Sequence, residues 1–124
     1  MTSRVTRAAE APSYFPPLHV GVTARRLQGH EAGPTDAFWV GLSVYGPGAT
    51  AQRSATSQET VYVVLDGQLV LTTWEQDRGT ATVLSSGDSV HLPRGTARSV
   101  ENASSSDARL LVVIAQPQPQ PPKP

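Results

Sequence analysis

Arg98, His91, Tyr62, Thr60, Trp39 and Arg53 are the residues whose types and settings offer chemistry in this chain. His91 and Arg98 both lie in GDSVHLPRGTARSVEN, residues 87–102. Thr60 and Tyr62 share one face of the run ETVYVVL (59–65), because successive side chains of a strand alternate. Histidine and tyrosine are residue types that serve as general acids and bases. Arginine is a permanent cation whose planar fork suits carboxylates and other oxygen acceptors. Each residue also has a plainer reading. Tyr62 and Trp39 fit a core, His91 fits as a packed histidine, and Arg53 fits as a solvated loop residue.

The chain has 124 residues, the size of one domain with one core. Lys+Arg and Asp+Glu both number 10, so the net charge is zero, which argues against a nucleic-acid binder. Cysteine is absent, and this excludes disulfides and thiolate metal sites. No apolar run approaches the roughly 20 residues of a membrane-spanning helix. The expectation is a cytoplasmic protein with neither nucleic acid nor membrane among its partners.

Residues 1–17 mix charge, alanine and proline and read as an N-terminal arm. The far end, 116–124 (QPQPQPPKP), reads as a disordered proline-rich tail, since proline neither donates to a sheet nor continues a helix. Between them lie short apolar or alternating runs at 18–27, 37–45, 59–65, 68–74, 80–84, 88–92, 96–102 and 108–114. Turn residues separate them: Gly33-Pro34, Pro47-Gly48, Asp66-Gly67, Arg78-Gly79, Ser86-Gly87 and Arg94-Gly95. Asp66-Gly67 between two apolar runs predicts a β-hairpin with a type I′ turn. No window shows a sustained helical period, so the chain reads as an all-β sandwich or small barrel. In the run 37–45, Phe38, Val40, Leu42 and Val44 share one face. Trp39, Gly41, Ser43 and Tyr45 share the other, whose small residues leave room for a ligand.

The stretch 87–102 resembles the second motif of the cupin superfamily, G-x5-P-x-G-x2-H-x3-N. Gly87, Pro93, Gly95 and Asn102 stand at the motif spacing, with Arg98 in the histidine slot. The first motif, G-x5-HxH-x3–4-E-x6-G, is discernible from Pro47-Gly48 to Gly67 without its histidines. Counting back from Gly67 puts Thr60 in the glutamate slot. Arg53 and Ala55, or Ser54 and Thr56, take the histidine slots. The resemblance implies an antiparallel jelly-roll β-barrel over residues 18–115, paired as a homodimer through an outer face that includes Val61, Val63 or Leu65. It also implies that Thr60, Tyr62 and Val64 turn inward.

Typical cupins hold a metal through three histidines and a glutamate, and all four slots are altered here. Arginine cannot deprotonate to become a ligand, so no metal and no cofactor are expected. An inward Arg98 needs a counter-group: Glu59, Glu101, Asp88, or a ligand. The function the resemblance implies is that of a metal-independent isomerase, cyclase or lyase acting on a small anionic or carbonyl-bearing molecule, with His91 or Tyr62 transferring a proton, Arg98 stabilising a developing enolate or carboxylate, and Trp39, Thr60 and Arg53 holding the ligand. The alternatives are a non-catalytic binder or sensor, and a structural dimer whose barrel is packed solid.

Overall fold

The computed structural model describes residues 3–116. The proline-rich tail expected at 116–124 lies, apart from Gln116, outside the described residues. Nine strands are present: β1 (Ser13–Tyr14), β2 (His19–Gln28), β3 (Phe38–Ser54), β4 (Thr60–Asp66), β5 (Gln68–Glu75), β6 (Arg78–Ser85), β7 (Ser89–Leu92), β8 (Ala97–Glu101) and β9 (Ala108–Ala115). Hydrogen-bonded neighbours run β6-β5-β8-β3-β9-β4-β7, with β2 on β3 and β1 on β2, and every pair is antiparallel. The result is the antiparallel jelly-roll β-barrel that the motifs imply.

Strand β3 joins the two walls. Its first half pairs with β9 from Phe38 to Tyr45, and its second half pairs with β8 at Thr50, Ala51 and Ser54. Gly48, in the left-handed region at φ 80°, lies at this handover, and its N–H donates to the Asn102 carbonyl. The Pro47-Gly48 pair, read from sequence as a strand break, is therefore a passage within one long strand.

Alternation decides what the barrel encloses. Trp39, Ile114, Thr60 and Leu92 form one inward cross-strand row; Gly41, Val112, Tyr62 and Val90 form the next. Deeper, Val64, Leu69, Leu71, Leu84, Val100 and Leu110 pack into the core. The opposite face carries the rows Val40–Val113–Val61 and Leu42–Leu111–Val63, all half-buried. Thr60, Tyr62 and Val64 thus share the inner face, as implied.

One local expectation is corrected. Asp66-Gly67 does not close a hairpin, because β4 pairs with β7 and β9 while β5 pairs with β6 and β8. Only Gly67 has positive φ there (76°), and an added Cβ would meet the Asp107 carbonyl at 2.8 Å. The dipeptide carries the chain from one wall to the other, and Asp66 Oδ2 accepts from Arg109 Nε at 2.7 Å. The adjacent hairpin instead turns at Gln76-Asp77, between paired Glu75 and Arg78. The segment read as an N-terminal arm packs against the barrel: Ser13 and Tyr14 pair with Arg25 and Ala24, and Arg25 donates to the carbonyls of Ala8 and Ala9.

Asn102, fully buried, ties this frame together. Its Nδ2 donates to the carbonyls of Tyr45 (2.9 Å) and Ser106 (2.8 Å), and its Oδ1 accepts from the Ser104 N–H and hydroxyl. Removing the amide strands buried acceptors, at about 1–3 kcal/mol for each group left unpaired. Asn102→Ala is expected to lower unfolding free energy by roughly 2–4 kcal/mol, read by urea denaturation. A loss under about 0.5 kcal/mol, the size of an ordinary surface change, contradicts the network.

Candidate functional site

One end of the barrel is hollow. A cavity of about 460 Å³ opens there, bordered by Tyr14, His19, Arg26, Trp39, Tyr45, Tyr62 and Arg98 among others. That size falls within the usual range for small-molecule sites, roughly 300–1,000 Å³. Leu69, Leu71, Leu84 and Val64 pack elsewhere in the interior and do not border it. At this end the barrel is therefore not packed solid.

Arg98 is the unusual feature of the wall. It enters from β8 with only 7% of its surface exposed. Its Nε donates to Tyr62 Oη at 3.3 Å, one terminal nitrogen to the Thr96 carbonyl at 3.2 Å, and the other to Thr60 Oγ1 at 3.3 Å. All three acceptors are neutral. Among the described residues the ion pairs are Arg26–Glu31, His91–Glu59 and Arg109–Asp66, so Arg98 has no carboxylate partner. Glu59 and Glu101, considered from sequence as its counter-charges, do not take that part. Three of a guanidinium's five N–H donors are engaged, which leaves two.

Around the cavity, Arg26 lies between two aromatic rings, 4.0 Å from the Tyr14 ring centre and 4.3 Å from that of Trp39. Tyr14 and Trp39 meet edge to face at 5.5 Å. Gly41 leaves the space for this, since a Cβ there would sit 2.6 Å from Tyr14 Oη. Arg26 is neutralised by Glu31 at 3.1 Å. The unpaired cation of the cavity is Arg98.

The sequence-predicted site residues separate into two groups. Tyr62, Arg98 and Trp39 border the cavity, and Thr60, 1% exposed, supports Arg98 from beneath while donating to the Gln58 carbonyl. His91 and Arg53 are elsewhere. His91 sits opposite Val61 on the outer row, its Nε2 3.2 Å from Glu59 Oε1, with both side chains about half exposed. The inward residues of β7 are Val90 and Leu92, so alternation carries His91 away from Tyr62. Arg53 turns outward, stacks 4.7 Å from the Trp74 ring centre and donates to the Gln76 carbonyl. Tyr14, His19 and Arg26 were not anticipated. Tyr14 belongs to the segment read as an arm, and Arg26 to a run whose inner face parity alone did not decide.

The metal slots do not fit a metal. Arg98 and Thr60 hydrogen-bond each other where a histidine and the glutamate stand in the motif, and Ser54, Ala55 and Thr56 border the cavity without an imidazole. Among the described residues no three His, Cys, Asp or Glu side chains converge.

Residues 41–114 match the cupin domain family, and the chain is a member of the cupin superfamily. Over 114 residues it is 54% identical to a Mycobacterium tuberculosis protein named β-D-galactosidase Rv1717, covering 92% of this chain and 95% of that one. Among solved structures, it resembles the polyketide cyclase RemF of Streptomyces resistomycificus (TM-score 0.77, 22% identity, 97% and 83% of the two chains). It also resembles an RmlC-like cupin from Shewanella frigidimarina (TM-score 0.73, 14% identity, 94% of each chain). These structural likenesses extend to the fold.

Two cavity phenols respond to this setting. Burial pushes Tyr45 far above the ordinary phenol range, and nearby Tyr62 and Tyr14 push the same way. Burial also raises Tyr14, against the opposing pull of Arg26. Above pH ~10 the unfolded phenols ionise while the folded ones keep their protons. The unfolded state then binds fewer protons, and stability falls as pH rises. Urea midpoints are expected to hold from pH 8 to 9.5 and to decline above 10, with a shallower decline in Tyr45→Phe. An equally steep decline in that variant contradicts the assignment.

Proposed function

We propose that this protein binds a small polar organic molecule, and that a β-D-galactoside is the ligand class that fits best. The observation that carries the reading is the buried Arg98 guanidinium. It borders a cavity with no carboxylate beside it and two N–H donors to spare. Burying a charge costs several kcal/mol unless it is compensated. A ligand's hydroxyl, carbonyl or carboxylate oxygen supplies the missing acceptor. The aromatic walls, Trp39, Tyr14, Tyr45 and Tyr62, suit the apolar faces of a sugar ring. The relative at 54% identity adds galactoside to this chemistry through its name.

Glycosidases ordinarily place two carboxylates across the scissile bond, about 5–9.5 Å apart. No Asp or Glu borders this cavity among the described residues. The proposed cleavage therefore uses other proton carriers. Tyr62 Oη already accepts from Arg98, which directs its own hydrogen elsewhere and makes it a donor for the departing oxygen. Isomerase, cyclase or lyase chemistry on a carbonyl compound remains the second reading, favoured by the same Arg98 beside the same Tyr62.

Hydrolysis of 4-nitrophenyl β-D-galactopyranoside and calorimetric binding of lactose test this directly. Arg98→Met is expected to weaken lactose binding at least tenfold, because a charge-assisted hydrogen bond is worth about 1.5–3 kcal/mol. Its melting temperature is expected to hold or rise, since an unpaired buried charge is removed. Arg98→Lys is expected to bind poorly too, lacking the planar fork. A lower melting temperature with unchanged affinity makes Arg98 a structural residue and ends this reading.

We also propose that the chain pairs with a second copy through the outer rows of Val40, Val61, Val63, Leu42, Leu111 and Val113. Their contiguous apolar surface on one sheet is the support. Light scattering at tens of micromolar is expected to give twice the chain mass, and Val61→Lys with Leu111→Lys to give monomers. A wild-type monomer overturns the pairing.

A further inference from the structure

We infer that His19 is the proton-transfer residue of the cavity, the part that sequence reasoning gave to His91. The inference rests on the proposed cavity reading and names a residue within it. Four features of the structure converge on this side chain.

The first is direction. The inward residues of β2 are Val22 and Ala24, opposite Tyr45 and Ser43 of β3. Strict alternation from them would turn Val20 inward and His19 outward. The register shifts between Val20 and Val22, where β2 advances from Tyr45 to Thr50 of its partner β3, and such an irregularity re-aims the side chains beyond it. Val20 is left 59% exposed, while His19 borders the cavity opposite Ala51. Gly21 is needed for this: its φ is 73°, and an added Cβ would meet the Ala49 Cβ at 3.1 Å.

The second feature is the approach of the chain. Leu18 holds φ 62°, a left-handed conformation rare for a branched, bulky residue. It follows the stiff Pro16-Pro17 pair, and its carbonyl accepts from the Gln52 N–H at 2.8 Å. Such outliers persist where surrounding structure holds them, and they cluster at functional sites.

The third is the tautomer. His19 Nδ1 lies 2.8 Å from the Pro17 carbonyl, which can only accept. Nδ1 therefore carries the hydrogen, and in the neutral ring Nε2 presents its lone pair. The fourth is that Nε2 makes no hydrogen bond among the described residues, and the ring lies 6.4 Å from that of Tyr45. The other charged or titratable side chains bordering the cavity are Tyr14, Arg26, Tyr62 and Arg98.

This is the arrangement of a general base. In galactoside hydrolysis, water forms a bond to the anomeric carbon as the bond from that carbon to the leaving oxygen breaks. The water's proton passes to His19 Nε2 and then to solvent. With a 4-nitrophenyl galactoside the leaving oxygen departs as the phenolate, so protons and charge balance without a second acid.

The test combines kinetics with the ring itself. Long-range 1H–15N spectra of the imidazoles are expected to show His19 as the Nδ1–H tautomer, with signals that move on adding lactose. His19→Gln is expected to lower kcat on 4-nitrophenyl β-D-galactopyranoside by about 10²–10⁴-fold. KM and the lactose Kd should stay within about threefold, with an unchanged circular dichroism spectrum. His91→Ala should keep wild-type kcat. An Nε2–H tautomer, or a His19→Gln enzyme that retains kcat, overturns the inference. Wild-type protein that leaves this galactoside intact overturns the proposed hydrolysis instead. In that case the tautomer and its response to lactose decide His19's role: an Nε2–H ring, or one that lactose does not move, ends it.

Discussion

The cavity is organised around a buried guanidinium that has no carboxylate partner among the described residues. Arg98 sits where the superfamily's second motif has a metal-binding histidine, and it grips Thr60, which sits in the slot of the metal-binding glutamate. Two former ligand positions have become a hydrogen bond between neighbouring walls. A cation held by three neutral acceptors is a costly thing to bury. On the proposed reading, a ligand in the cavity supplies the acceptor it lacks.

Part of the cavity wall comes from the first thirty residues of the chain. Ser13 and Tyr14 add a short strand to β2, and the Tyr14 ring closes on Trp39 across the space left at Gly41. Arg26 stacks between those rings and is neutralised by Glu31. Pro16, Pro17 and the strained Leu18 then deliver His19 to the rim. The cupin domain match spans residues 41–114, so these elements surround the barrel's own site with groups from outside the matched segment.

Much of this was readable from residue order, and the exceptions have physical causes. The spacing of Gly87, Pro93, Gly95 and Asn102 identified the fold, because each answers a local geometric demand. Gly87 and Gly95 both take positive φ, and Asn102 fills a buried polar niche. Alternation correctly grouped Thr60, Tyr62 and Val64, and set Trp39, Gly41, Ser43 and Tyr45 apart from Val40 and Leu42. It could not choose a face for His91, since that depends on which strand β7 pairs with. It also fails at Gly21, where the register with β3 shifts and the inward sense of β2 reverses. The Asp66-Gly67 hairpin failed because turn chemistry specifies a sharp reversal but not the partner of the next strand. Tyr14 was invisible for a related reason: two residues of strand in a proline-rich segment acquire meaning only beside β2.

The most direct test of the account is the Nη–H resonance of Arg98, whose terminal nitrogens carry the two donors left free, in a 15N-labelled protein titrated with lactose, assigned with Arg98→Met. If the cavity's ligand supplies the acceptor that Arg98 lacks, this resonance moves in step with binding and slows its exchange with solvent. Lactose that saturates the protein while the Arg98 signal stays in place contradicts the account.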